Sequence, residues 1–66
     1  MLYRTAPNAK PISRHRIRCN RGRIIDSYTE NGELIQVYRT SDGQHYRGPA
    51  DVRKNVAAYL PVTVIA

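Results

Sequence analysis

The sequence predicts a small α+β fold, an antiparallel β-meander of three to four strands packed against one α-helix in the C-terminal half. Asn31-Gly32 and Asp42-Gly43 each separate runs rich in β-branched and aromatic residues. Such dipeptides favour two-residue hairpin turns, because these turns need residues that tolerate positive φ. An apolar stripe after Pro49 predicts the helix.

The two turns set a register for the meander. A two-residue loop at Asn31-Gly32 places Glu30 opposite Glu33. Like charges in a cross-strand pair are unfavourable, so registers with a longer loop remain alternatives. A loop at Asp42-Gly43 places Thr40 opposite His45. The core face then carries Ile24, Tyr28, Ile35, Val37 and Tyr46. The opposite face carries Arg23, Gln36, Tyr38, His45 and Arg47 together with Ile25 and Leu34.

Residues 1–13 are expected to form a flexible basic arm, and residues 14–66 a single domain. Pro7 and Pro11 interrupt both helix and sheet patterns in the first segment, which carries Arg4 and Lys10.

Residues 14–19 alternate strictly between two faces, which predicts a strand. Arg14, Arg16 and Arg18 would then project from one face about 6.6 Å apart, close to the phosphate spacing of a nucleic-acid strand. The following turn would use Gly22 at positive φ.

The C-terminal segment predicts a helix and a final strand. Pro49 suits the first helical position, and the helix is expected to run to about Leu60, with Val52, Val56 and Tyr59 on its apolar face. The β-branched residues 62–65 predict a strand. This strand could pair inside the sheet or with the same strand of a second chain, giving a homodimer, and the sequence leaves both open.

The charge balance predicts an anionic partner. Eleven lysines and arginines stand against five acidic residues, giving a net charge of +6. Most of the cations are arginines, whose planar donor forks suit phosphates and guanine edges. The favoured partner is nucleic acid, DNA or RNA, and an acidic protein is the alternative.

Several other classes of function find no support. The single cysteine, Cys19, excludes an intramolecular disulfide, and no metal or cofactor motif is present. No apolar run reaches the length of a signal peptide or a membrane span, so a cytoplasmic protein without membrane contact is expected. A small ribonuclease using His45 is a minor hypothesis. Cys19 with His15 or His45 could in principle form a nucleophile–base pair, but a lone cysteine at a core-facing strand position is far more often an inert buried residue.

The expected order of three antiparallel strands followed by a helix resembles the sheet-reading DNA-binding domains of phage-type integrases and plant AP2-type factors. An SH3-like small β-barrel is the alternative fold, because it needs nearly the same strands.

The sequence thus predicts a non-enzymatic nucleic-acid-binding module without a cofactor, of the kind a phage or plasmid could encode. The residues expected to bind share donor groups or an aromatic ring suited to phosphates and base edges. They are Arg14, Arg16, Arg18, Arg21, Arg23, Gln36, Tyr38, His45 and Arg47.

Overall fold

A computed structural model describes residues 2–51 and 57–65, and it consists mostly of antiparallel β-sheet. One short helix lies between the first two strands along the chain. The elements are β1 (Leu2–Thr5), α1 (Arg14–Cys19), β2 (Arg23–Glu30), β3 (Glu33–Arg39), β4 (His45–Pro49) and β5 (Leu60–Ile65). The predicted β-rich small fold is therefore confirmed, with more strands than the meander required.

The five strands form one sheet in the order β1-β5-β4-β3-β2. The predicted final strand is β5, and it pairs with β1 on one side and with β4 on the other. Strand addition needs an edge with free backbone groups. Because β5 has a neighbour on each side, it pairs inside the sheet, which is one of the two arrangements that the sequence left open.

Residues 14–19 form the helix α1, so the predicted strand is wrong. The Ser13 hydroxyl caps the helix by accepting a hydrogen bond from the backbone N–H of Arg16 at 3.1 Å. Ile17 is fully buried, and it is the one buried residue of the helix. The caps and this single anchor hold a helix that is too short to be stable alone.

The predicted helix from Pro49 to Leu60 is wrong at both ends. Pro49 is the last residue of β4, and Leu60 is the first residue of β5. Residues 52–56, the middle of that prediction, lie outside the described residues. Within residues 2–51 and 57–65, the helix precedes the hairpins, so these residues do not show the element order that carried the resemblance to integrase and AP2-type domains.

The first hairpin turns at Asn31-Gly32 as predicted, with φ of 52° and 80° at the two residues. Its register also matches from the Glu30–Glu33 pair to the Asp26–Val37 pair. Beyond that point the register shifts by one residue at Ile25, which is a β-bulge.

The second hairpin has a longer loop than predicted. The backbone N–H of Thr40 donates to the carbonyl of Gln44 at 2.9 Å, and Gly43 adopts a φ of 86°. This is the geometry of a three-residue loop that ends in a left-handed residue. Arg39 therefore lies opposite His45, and Tyr38 opposite Tyr46. The predicted faces are wrong for β4, since an odd shift exchanges the two sides of a strand.

Residues 2–13, within the segment predicted to be a flexible basic arm, are joined to the rest of the sheet at two places. Leu2–Thr5 is β1, and Ile12 forms a bridge with Tyr59 through backbone hydrogen bonds of 2.8 and 3.1 Å.

One core lies between α1 and the sheet. Ile17, Tyr38 and Tyr59 are buried there. The rings of Tyr38 and Tyr59 meet edge to face with centroids 5.5 Å apart. The Tyr59 hydroxyl donates to the carbonyl of Pro49 at 2.7 Å, so the ring is held at both ends.

The sheet curves so that side chains on its opposite face pack against one another. Val37 and Val62 are buried, and the register places them on the same face as Tyr3 and Tyr28. The rings of these tyrosines stack with centroids 6.1 Å apart, although β1 and β2 stand at opposite ends of the strand order. The sheet therefore curls until its two outer strands touch through side chains.

Tyr3 also gives the fold a pH dependence. Its hydroxyl donates to Asp26 at 2.9 Å, and burial, this hydrogen bond and the Asp26 charge raise its pKa to about 12. An unfolded tyrosine titrates near pH ~10. The folded state thus holds the proton more tightly, so this stabilisation is present below that pH and is lost as the pH rises through about 12.

We expect Tyr3→Phe to flatten the fall of the unfolding free energy over this alkaline range, measured by urea denaturation at several pH values. Asp26→Asn keeps the Tyr3 ring but removes the charge, and it should lower the pKa of Tyr3 in a spectrophotometric titration. A Tyr3→Phe variant with the pH dependence of the unmodified chain would contradict this account.

Candidate nucleic-acid interface

A row of basic side chains crosses three strands of the sheet. Arg23 on β2 lies opposite Arg39 on β3, and Arg39 lies opposite His45 on β4. Directly opposed residues share a face, and neighbouring strands are about 4.8 Å apart. The row therefore places three basic groups side by side at one end of the curved face.

The bulge at Ile25 creates the first pair of this row. Without it, the register predicted from the turn would set Arg23 opposite Thr40. The additional residue moves Arg23 by one position, so that it faces Arg39. Two arginines directly opposite each other repel, which makes the pair unfavourable unless an anion lies between them.

Arg21 approaches the same region from the end of α1. The backbone N–H of Gly22 donates to the carbonyl of Ile17, and that of Arg21 to the carbonyl of Arg18, at 2.9 and 3.0 Å. This pattern is a Schellman motif, whose left-handed residue is usually glycine. Here that residue is Arg21, with a φ of 59°.

Gly22, the residue expected at positive φ, serves a different purpose. A Cβ at Gly22 would overlap the Ile17 side chain and lie 2.8 Å from the Ile17 carbonyl oxygen. Glycine is thus required at position 22 because the backbone there lies against Ile17. Arg21, and not Gly22, adopts the strained left-handed conformation. Strain of this kind, about 1–2 kcal/mol, collects at functional sites.

The three arginines line one cleft of about 380 Å³. Its walls are Arg21, Arg23, Ile25, Arg39, Thr40 and Ser41. No carboxylate is among them. In the part of the chain that the structure describes, none of the three arginines forms an ion pair. The cleft therefore brings together three cations that form no ion pair with the described residues.

Three acidic residues of the hairpins have hydrogen-bond or ion-pair partners other than the three cleft arginines. Asp26 accepts from Tyr3, as described above. Glu30 forms an ion pair of 2.8 Å with Arg47. Asp42 accepts hydrogen bonds from the Thr40 hydroxyl and the Gln44 N–H, and these lower the pKa of its carboxyl.

The loop between β3 and β4 is tied to the end of the helix. The backbone N–H of Ser41 donates to the carbonyl of Asn20 at 3.1 Å. Thr40 is buried, and its hydroxyl donates a hydrogen bond that is shared between the Asp42 carboxylate and the Gln44 carbonyl. These contacts fix the helix end and the loop as two walls of the cleft.

The structure brings together only some of the residues predicted to bind. Arg21 and Arg23 line the cleft, and His45 is half-buried at the far end of the row. Arg47 shares the face of the row but is paired with Glu30. Arg16 and Arg18 are exposed on α1.

Three further predicted residues lie on the helix side of the sheet. Tyr38 is 3% exposed, so its ring cannot stack on a base. The Tyr38 hydroxyl donates a hydrogen bond of 3.3 Å to the side-chain oxygen of Gln36. The Arg14 guanidinium lies 5.9 Å from the centre of the Tyr38 ring, with its Nε and Nη1 atoms buried.

Of the three cleft arginines, Arg39 is the one that the sequence did not predict to bind, and the wall residues Ile25, Thr40 and Ser41 were not predicted either. The predicted register put Arg39 on the core face, opposite Ile24 and Tyr46. A charged residue at the end of an otherwise apolar strand face marks where that face opens to solvent. That signal was present, since Arg39 follows Val37 on the same face and is exposed.

Comparisons of this chain with protein-family models, with curated proteins and with solved structures found no match. Within residues 2–51 and 57–65, no helix is long and apolar enough to cross a membrane. Those same ranges contain no group of three or more His, Cys, Asp or Glu side chains able to hold a metal ion.

Proposed function

We propose that this chain is a non-enzymatic nucleic-acid-binding module that holds phosphates in the cleft of Arg21, Arg23 and Arg39. The observation that carries the proposal is the cleft itself, three arginines converging without a carboxylate. Guanidinium groups donate two parallel hydrogen bonds to a phosphate, and they do so without losing their charge at any physiological pH.

The strain at Arg21 supports the same proposal. A glycine at this position would end the helix at lower cost, yet the chain places a long cation there. The cross-strand pair of Arg23 and Arg39 is a second unfavourable feature. Both costs are offset when an anion occupies the cleft, because the anion screens the repulsion between the arginines and accepts hydrogen bonds from their guanidinium groups.

The exposed arginines of α1 extend the positive surface beside the cleft. Arg16 and Arg18 belong to the helix whose end forms one wall. Charges of this kind steer an anionic polymer and lengthen its contact without reading its sequence. The proposal assigns no base contact to Tyr38 or Gln36, because they lie on the other face.

Binding of fluorescein-labelled DNA and RNA oligonucleotides across a salt series tests the proposal. Three phosphate contacts should give a log–log slope of about −2 on a single strand and about −2.7 on a duplex. Absence of binding at low salt would sink the proposal. An acidic protein remains the rival partner, and a lysate protein that stays bound after nuclease treatment would favour it.

We expect Arg21→Gly to weaken this binding while raising the free energy of unfolding by about 1 kcal/mol, because glycine adopts the left-handed conformation without a Cβ penalty. Arg21→Ala is the matched control, since it removes the charge but keeps the penalty. It should weaken binding equally without the gain in stability. Urea denaturation and fluorescence anisotropy measure the two effects, and a destabilised Arg21→Gly would contradict the assignment of strain.

For the fold, we propose that the curled sheet is a barrel-like arrangement of the SH3 kind. The stacking of Tyr3 on Tyr28 supports it, because these rings join the two outer strands of the sheet order. A closed or nearly closed sheet has fewer free edges.

A further inference from the structure

We propose that the arginine cleft accommodates one base of a single strand, with neighbouring phosphates of that strand on its three arginines, so that the chain prefers single-stranded nucleic acid to a duplex. This inference rests on the proposed function and specifies its substrate class. The cleft of about 380 Å³ lies within the range, roughly 300 to 1,000 Å³, of pockets that enclose small ligands. A duplex offers phosphates on a convex surface and cannot insert one nucleotide into such a space.

The lining of the cleft combines phosphate-binding and base-binding groups. Ile25 is 45% exposed and lies in the cleft with the three arginines. An exposed aliphatic side chain beside guanidinium planes forms a surface on which an unpaired base can pack. In a duplex the base faces are stacked on each other, so this surface would stay uncovered.

The bulge explains why this aliphatic group lies at the cleft. Ile25 is the additional residue of β2 and has no partner on β3. Its neighbour Ile24 is equally exposed, at 49%, but lies opposite Tyr38 and is not part of the cleft. The bulge therefore moves Arg23 into the row and brings an isoleucine beside it.

Ser41 adds a hydroxyl at the rim. It is exposed, and its backbone is fixed by the hydrogen bond to Asn20. A hydroxyl can donate to a phosphate or sugar oxygen and accept from a sugar hydroxyl. The wall thus offers cations for the phosphate, an apolar surface for the base and a polar group for the sugar.

Three fluorescein-labelled ligands of equal length, about 12 nucleotides, separate the possibilities on the full chain: a single strand, the blunt duplex and an abasic strand. The single strand should bind about fivefold more tightly than the other two, because packing a base against the exposed Ile25 side chain removes apolar surface from water. Duplex or abasic binding equal to that of the single strand would overturn the inference while leaving the proposed function standing. Absence of binding to all three would overturn both.

A pair of matched variants locates the base contact. Ile25→Ser should weaken binding of the single strand about fivefold and leave the abasic strand unchanged, because the apolar contact with the base is lost. Ile24→Ser removes the same side chain at the adjacent residue and should change neither. Equal effects of the two variants would overturn the assignment to the cleft. Circular dichroism verifies folding, and the comparison of ligands on the unmodified chain decides the question if a variant unfolds.

Discussion

Replacement of Arg23 and Arg39 together by glutamine should lower the affinity for a single-stranded oligonucleotide by about 30-fold at low salt, and reduce the salt slope by about 1.4. Each charge-assisted contact should contribute about 1 kcal/mol to binding, which is low for such contacts because both side chains are exposed to solvent. The slope falls because each lost phosphate contact on a single strand releases about 0.7 fewer counterions.

The matched control is Arg4→Gln with Lys10→Gln, which changes the net charge equally. Arg4 lies opposite Thr63, on the face of the sheet that does not carry the row, and Lys10 lies between β1 and α1. Both are exposed. If binding depends only on net charge, the two double variants will lose affinity to the same extent, and the cleft is then not the site.

The Arg23 and Arg39 substitutions should also leave the fold intact or stabilise it slightly, since they remove a repulsive cross-strand pair. Thermal unfolding measures this directly. If Arg23 and Arg39 repel each other in the free protein and bind an anion together, the variant should gain stability and lose binding. A variant that loses both would mean that the arginines hold the sheet together, which contradicts the role given to them here.

Replacement of Gly48 by alanine should destabilise the fold by about 3 kcal/mol, a large part of the stability of a chain this short. Gly48 is buried in β4 against the Tyr59 ring. An added Cβ would overlap the Cδ2 atom and lie 2.6 and 2.7 Å from the Cε2 and Cγ atoms of that ring. The ring cannot move aside, because its hydroxyl bonds Pro49 and its edge meets Tyr38.

Urea denaturation followed by circular dichroism measures the loss, and Gly43→Ala provides the matched control. No atom lies within 4 Å of a Cβ added at Gly43, so its cost, about 1 kcal/mol, comes only from the left-handed backbone. A second test uses Tyr59→Leu. In that background the cost of Gly48→Ala should fall sharply, because the clashing ring is gone; an additive result would contradict the proposed contact.

The first hairpin could be predicted because its determinants are local. Asn31 and Gly32 both adopt positive φ, and the turn fixes each pair back to Asp26 and Val37. The bulge at Ile25 has no comparable local signal. It lies three residues after Gly22, where the chain passes from the helix end into the sheet.

The second hairpin and the helix could not be predicted for a related reason. Ser41-Asp42-Gly43 suits a three-residue loop as well as Asp42-Gly43 suits a two-residue loop, and the bonds of buried Thr40 decide between them. Residues 14–19 are too few for a helical period to be distinguished from alternation. Their helix depends on Ile17 packing against Tyr38 and Tyr59, which are remote in the sequence.

The sequence by itself determined the class of this molecule, a small antiparallel β-rich chain with a strong positive charge and hairpins centred on two glycine turns. Composition and turn chemistry are local, so they need no partner elsewhere in the chain. Only the tertiary structure decided which arginines meet. One bulge and one additional loop residue shift strand registers by single steps, and each step moves a side chain to the other face. The cleft of Arg21, Arg23 and Arg39 results from those shifts.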